Sequence, residues 1–182
     1  MNRDFRPVPD ENWPDSLRDL KDGFATALNV YRVMAHHPDL LRAWAPLREH
    51  VVKNPVLDPA QSEIVILRCA HRLGAEYEWS HHVHRARRIG MDDSRIVTMT
   101  GDRAQMKPQD ALLAQAVDEL FDDRRLSPGT LSRLRQQIGR EGVLDLMATV
   151  GFYTVLGFIV QSFGTPLDDD IAREMTEWPL LP

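Results

Sequence analysis

From Leu146 to Pro166 the chain reads LMATVGFYTVLGFIVQSFGTP, without a single charged side chain. Such a stretch must be hidden from water, so it dictates what the rest of the chain has to enclose. Its length approaches the ~20 residues that span a bilayer. It is interrupted, however, by Gly151, Gly157 and Gly164, and it carries Gln161, Ser162 and several threonines. No Lys/Arg cluster flanks it and no second span accompanies it. The segment therefore reads as a buried helix, in the core or at a subunit interface, with no membrane partner.

The 182-residue chain has the means to bury it. Hydrophobic residues make up 43% and charged residues 27%, the balance of one soluble globular domain, residues 1–182. The net charge of −5 argues against nonspecific nucleic-acid binding, which depends on basic patches. Cys69 is the one cysteine, so no intramolecular disulfide, CxxC pair or cysteine-rich zinc site can form. The opening MNRDFRPVPDENWPD has no apolar run of the signal-peptide type. A cytoplasmic location and an extended arm over 1–13 are expected.

Apolar residues recur at three and four, the helical period, and no period-2 strand pattern is present. Leu17, Leu20, Phe24, Ala27, Leu28 and Tyr31 predict a helix from Pro14 to about His37-Pro38, where the residue before proline leaves the α region. Leu40, Leu41, Trp44 and Leu47 predict a second, broken at Lys53-Asn54-Pro55. Asp58-Pro59-Ala60-Gln61 is the sharpest start signal: an N-cap acid, proline at the first helical position and Gln three residues after the cap. That helix runs to Leu73-Gly74, and another follows to Ile89-Gly90. A short helix after Asp92 or Asp93, one opened by Pro108, one opened by Ser127-Pro128 and ending near Ile138, and the apolar helix from about Glu141 to Ser162 complete an all-α bundle of about seven or eight helices.

The segment QSEIVILRCAHRLGAEYEWSHHVHRARRIG, Gln61 to Gly90, gathers the candidate chemistry. On a helical wheel Glu63 aligns with Ile66, Leu67, Ala70 and Leu73, so its carboxylate lies on the apolar stripe. There it must be paired, protonated or functional. Glu78 and His82 are spaced i,i+4 beside the stripe of Trp79, Val83 and Ala86, where a carboxylate can orient an imidazole. Structural ion pairing at Glu63 and a surface Glu–His pair at 78 and 82 are the plain alternatives. His81 and His84 fall on the far side, as solvent or interface residues. Adjacent His81 and His82 point about 100° apart and cannot share a metal on a regular helix. With no HExxH and no second ExxH, no metal site is expected. Cys69, among Val65, Ile66, Ala70 and Leu73, reads as a core thiol.

At these residues the chain resembles the carboxymuconolactone decarboxylase family, which includes the alkylhydroperoxidase D-like proteins. The matching stretch is SEIVILRCAHRLGAEYEWSHHVHRARRIGM, with similar layout at YRVMAHHPDLLRAW and VGFYTVLGFIVQSFGTPL. The resemblance implies an all-α fold of the alkylhydroperoxidase D-like type, a homo-oligomer (trimer or hexamer) and no cofactor. Peroxidase-type members carry a CxxC, a His four residues later and an upstream Glu. Here Ala75 and Glu78 stand at the two cysteine positions, His82 at the His and Glu63 at the upstream Glu, with Tyr77 between the former cysteines as a substrate-binding candidate. Both thiols are gone, and dithiol peroxidase chemistry with them. Decarboxylase-type members imply proton chemistry on a small carboxylated lactone or keto acid. In that chemistry His82 would donate the proton, Glu78 would hold His82, and Glu63 would serve as a shuttle. A cofactor-free lyase is one reading. A non-catalytic or stress-related binding protein on the same scaffold is the other.

Overall fold

A computed structural model describes residues 3–180 of the chain, and among them there is no strand. The helices in order are α1 (Phe24–Ala27), α2 (Asn29–Met34), α3 (Pro38–Lys53), α4 (Pro59–Leu73), α5 (Glu76–Arg88), α6 (Asp93–Val97), α7 (Pro108–Asp122), α8 (Pro128–Phe163) and α9 (Asp169–Glu177). Short 3-10 turns fill Arg3–Phe5, Asp10–Asn12, Asp15–Leu20, Thr98–Thr100 and Arg103–Gln105.

α4 is the axis of the bundle, packed by α5, α7 and α8. Its start is the capping box read in the sequence. Asp58 Oδ1 accepts the Gln61 N–H at 2.8 Å, and Gln61 Oε1 accepts the Asp58 N–H at 3.1 Å. Ile64, Val65, Ile66, Leu67 and Cys69 are then almost wholly buried. Gly74 closes the helix at φ +63, a conformation that favours glycine, and the chain turns at once into α5. α8 is interrupted at Gly139 (φ 73, ψ −179), between the two helices expected around Ile138 and Glu141. Its apolar C-terminal part lays Leu146, Val150, Phe152, Tyr153, Leu156 and Val160 into the core.

α4 also carries a buried ionic knot. Arg68 grips Asp118 of α7 with two hydrogen bonds of 2.9 Å and donates to Met99 O and Gly101 O at 2.9 and 3.1 Å. Arg72 and Arg103 reach the same carboxylate.

Two expectations fail at the N-terminal end. The helix predicted from Pro14 to His37 is divided into a 3-10 run, α1 and α2, because Gly23 and Leu28 are extended. Tertiary bonds hold that break: Asp168 Oδ1 accepts the Asn29 N–H at 3.0 Å. The expected extended arm is instead turned and packed. Val8 is buried and exchanges hydrogen bonds with Arg32, and Phe5 stacks on Phe163 at 4.0 Å. Residues 1 and 2 of that arm lie outside the described residues.

Candidate active site

The tight α4–Gly74–α5 hairpin brings Glu63 across from His82. His82 donates its Nδ1–H to Glu63 Oε2 at 2.6 Å, and both side chains are buried. Glu78, one turn earlier on α5, lies on the other side of the ring, 4.0 Å from Nε2. The edge of the His82 ring meets Tyr153 of α8 at 4.9 Å. Glu63, Glu78 and His82 are thus brought together, but the partnership expected from spacing is exchanged: Glu63, not Glu78, holds the imidazole. An i,i+4 pair shares a helix face, yet here the ring turns its Nδ1 toward the neighbouring helix.

Glu78 is 3% exposed and its Oε1 has no hydrogen-bond partner. Burial pushes its pKa up to about 8; the Arg85 charge opposes this and Asp168 adds to it. Glu78 is therefore a neutral acid at pH 7. Burial likewise lowers the His82 pKa, against the pull of Glu63. The imidazole is neutral, with Nδ1–H committed to Glu63 and a free lone pair on Nε2.

Two cavities adjoin these groups. A small chamber of about 20 Å³ is lined by Tyr31, Tyr77, Glu78, His82, Tyr153 and Leu156. A cleft of about 640 Å³ opens to solvent and is lined by Ser62, Glu63, His84, Arg88 and Asp170, among others. Leu28, Val52, His81 and Arg85 border both and form the partition. Glu63 faces the cleft, His82 and Glu78 the chamber.

Tyr77 contributes its ring to the chamber wall, while its hydroxyl is engaged elsewhere. It accepts from the Val30 N–H at 3.3 Å and donates to Asp168 Oδ2 at 2.5 Å. The same Oδ2 bonds His81 Nε2 at 2.8 Å, and His81 Nδ1 lies 2.8 Å from Tyr77 O. His81 is therefore buried, not the solvent residue its helical position suggested. His84 is also inward, bonded to Glu174 of α9. The segment from Asp168 through α9 covers the outer face of α5 and was not foreseen as a helix. Cys69 is buried, its Sγ 3.8 Å from Val150 O, and burial pushes the thiol up to about 12. Among the described residues, no three His, Cys, Asp or Glu side chains converge as metal ligands.

Arg85, Tyr153 and Asp168 are the site residues that sequence reasoning missed. Arg85 was recoverable, since positions 78, 82 and 85 share one face of α5. Asp168 was not: only the fold brings it next to residue 81.

Residues 38–120 match the model of the carboxymuconolactone decarboxylase family. Among proteins of curated function, none matches the chain in sequence. The fold is similar to the alkylhydroperoxidase AhpD core of a peroxidase-related protein from Ralstonia eutropha JMP134. That match has a TM-score of 0.76 at 16% identity, covering 92% of this chain and 94% of that one. It is equally similar to the debrominase Bmp8 in complex with 2,3,4-tribromopyrrole, with a TM-score of 0.76 at 14% identity over 97% and 98% of the two chains. A peroxidase-related protein from Silicibacter sp. TM1040 gives a TM-score of 0.72 at 11% identity over 91% and 88%. The family match spans the helices that carry Glu63, Glu78 and His82, and the chain as a whole has the all-α alkylhydroperoxidase D-like fold without the CxxC pair.

Proposed function

We propose that this protein is a general acid–base enzyme acting on a small organic acid, a carboxylated lactone or keto acid, without thiol chemistry and as a homo-oligomer. The observation that carries the reading is the line Glu63–His82–Glu78, which runs from an open cleft to a buried neutral acid. It supports a proton relay more than a static ion pair, because a static pair has no use for a buried carboxylic acid with an unpartnered oxygen behind it.

In the decarboxylating case, the C–C bond to the leaving carboxylate breaks and its electron pair moves into the conjugated carbonyl, giving an enolate and CO2. The enolate carbon then takes a proton from Glu63, which receives one from His82 Nδ1. As Nδ1 releases its proton, the Nε2 lone pair takes one from Glu78, and the chamber between them is large enough for one bridging water. Between turnovers the relay runs back: Glu63 takes a proton from the open cleft and passes it to Nδ1, and Nε2 returns its proton to the Glu78 carboxylate, restoring the starting tautomer. An isomerisation uses the same relay with proton removal preceding delivery. This assignment differs from the sequence expectation in one respect: Glu63 meets the substrate, and His82 acts behind it.

The debrominase Bmp8 was captured with a small halogenated ring, and a ring of that size would fit the cleft here. The near-complete burial of His82 and Glu78 favours the second reading, a binding protein without turnover. Carbon-bound hydrogen exchange in D2O, followed by proton NMR over a panel of carboxylated five-membered lactones and β-keto acids, separates them. The expected result is exchange or turnover with at least one compound, falling about 10²–10⁴-fold in His82→Ala. No reaction with any compound, or an unchanged rate in a folded His82→Ala, overturns the enzyme reading.

A further inference from the structure

We infer that Arg85 is the anchor for the substrate's carboxylate, binding it in the cleft beside Glu63; this rests on the acid–base reading above and names how its substrate is recognised. The chain's other inward-facing arginines each have an acidic neighbour. Arg32 pairs with Asp10 at 2.8 Å, Arg68 with Asp118 at 2.9 Å, Arg87 with Asp93 at 2.8 Å and Arg95 with Asp110 at 2.7 Å. Arg72 pairs with Asp122, and Arg48 has Glu49 at 3.8 Å and lies over the Phe24 ring. Arg85 is half-buried too, yet among the described residues it has neither a hydrogen bond nor an ion pair.

A guanidinium withdrawn from water without a counter-ion is costly. This one also borders both cavities, on the same α5 face as Glu78 and His82. Ser62, next to Glu63 on α4, lines the same cleft with a buried Oγ that has no partner. Arg85 therefore offers the cleft a planar cationic fork suited to a carboxylate, with the unpartnered Ser62 Oγ behind the same wall. The carboxylates bordering the cleft, Glu63 and Asp170, disfavour an anion at their own positions; of the cations on the same wall, Lys53 is paired with Glu49 and Arg88 is exposed to solvent, which leaves Arg85 as the withdrawn and unpaired one. A volume of about 640 Å³ admits a small ring with its substituents. Chemistry constrains which carboxylate is held. A guanidinium on a leaving carboxylate stabilises the ground state and slows loss of CO2. The carboxylate at Arg85 is thus the one that survives the reaction, and a decarboxylated substrate carries a second acidic group.

Calorimetric titration at pH 7 with 2-furoate, benzoate and crotonate, each against its neutral carboxamide, tests this. The wild type should bind at least one carboxylate about ten- to a hundredfold more tightly than its amide, the worth of a charge-assisted hydrogen-bond pair. Arg85→Met keeps the apolar stem and should erase the preference with little change in melting temperature. Arg85→Lys, which keeps charge and loses the fork, should retain a fraction of it. Absence of any preference in the wild type overturns the inference. So does full preference in Arg85→Met, or in Arg85→Gln should the Met variant fail to fold. His82→Ala should keep the carboxylate preference while losing exchange. If it retains exchange, the acid–base reading fails and the anchor stands; if Arg85→Met retains preference, the anchor fails and the relay stands.

Discussion

At the scale of single residues, Glu78 carries the sharpest consequence of burial. Its folded pKa of about 8 stands well above the ordinary carboxylate range. Between those two values the unfolded chain has already released the proton that the folded chain still holds. Stability therefore falls as pH rises across that window. Glu78→Gln keeps the shape and removes the titration. It should raise stability at pH 7 by on the order of 1–3 kcal/mol, most visibly toward pH 8, while lowering proton delivery to substrate. Chemical denaturation at pH 5 and pH 8 measures the first effect, and the NMR exchange assay the second. A variant less stable than wild type at pH 8 would mean that Glu78 is an ionised structural partner. In the proposed relay the acid form is the donor, so the wild-type rate should also decline as pH passes about 8.

At the scale of elements, the α4–α5 hairpin was legible because its signals are local. A capping box, a terminal glycine and an apolar stripe fix two helices and bring Glu63, Glu78 and His82 to one place. What pairs with what was not legible. Glu78 is nearer His82 in sequence, but the ring rotamer chosen by packing against Tyr153 sends Nδ1 to Glu63. The N-terminal helix was misjudged for the opposite reason: its period is helical, but Asp168 captures the Asn29 N–H from a distant loop. The Arg68–Asp118 knot between α4 and α7 was equally invisible, since its partners lie fifty residues apart. Asp118 is held below the usual carboxylate range: burial works against this, and the hydrogen bonds of Arg68 and Arg103 outweigh it. Its contribution is present at neutral pH and is lost as pH falls below about 4. Asp118→Ala leaves Arg68 buried without its partner and should cost about 3–5 kcal/mol, read as a lower denaturation midpoint at pH 7. The difference from wild type should shrink in acid; a difference independent of pH would assign the loss to packing.

At the scale of the whole molecule, the uncharged helix accounts for both the core and the surface. α8 is long and apolar enough to cross a membrane, yet much of its apolar part is buried inside the bundle. Its outer side is not. Leu144, Val155 and Phe158 are 67%, 41% and 59% exposed, and with exposed Gly151 they follow one another at steps of seven, four and three. Those steps make a continuous stripe on one helix face, with nothing near Gly151 to obstruct a close approach. The proposed homo-oligomer would cover it with a second copy, the glycine allowing the helices to meet along the stripe. A charge on the stripe should then separate the copies without touching the core, because Phe158 contributes mainly to the surface. In light scattering at micromolar concentration the wild type should have the mass of a trimer or a larger multiple of the chain. Phe158→Glu should shift toward the mass of one chain while keeping its helical circular dichroism. A monomeric wild type refutes self-association, and an unchanged multiple in Phe158→Glu moves the interface to another face. Because Glu63 and Arg85 line a cleft to which α8 contributes no residue, a dissociated Phe158→Glu that still binds carboxylates would further separate assembly from recognition.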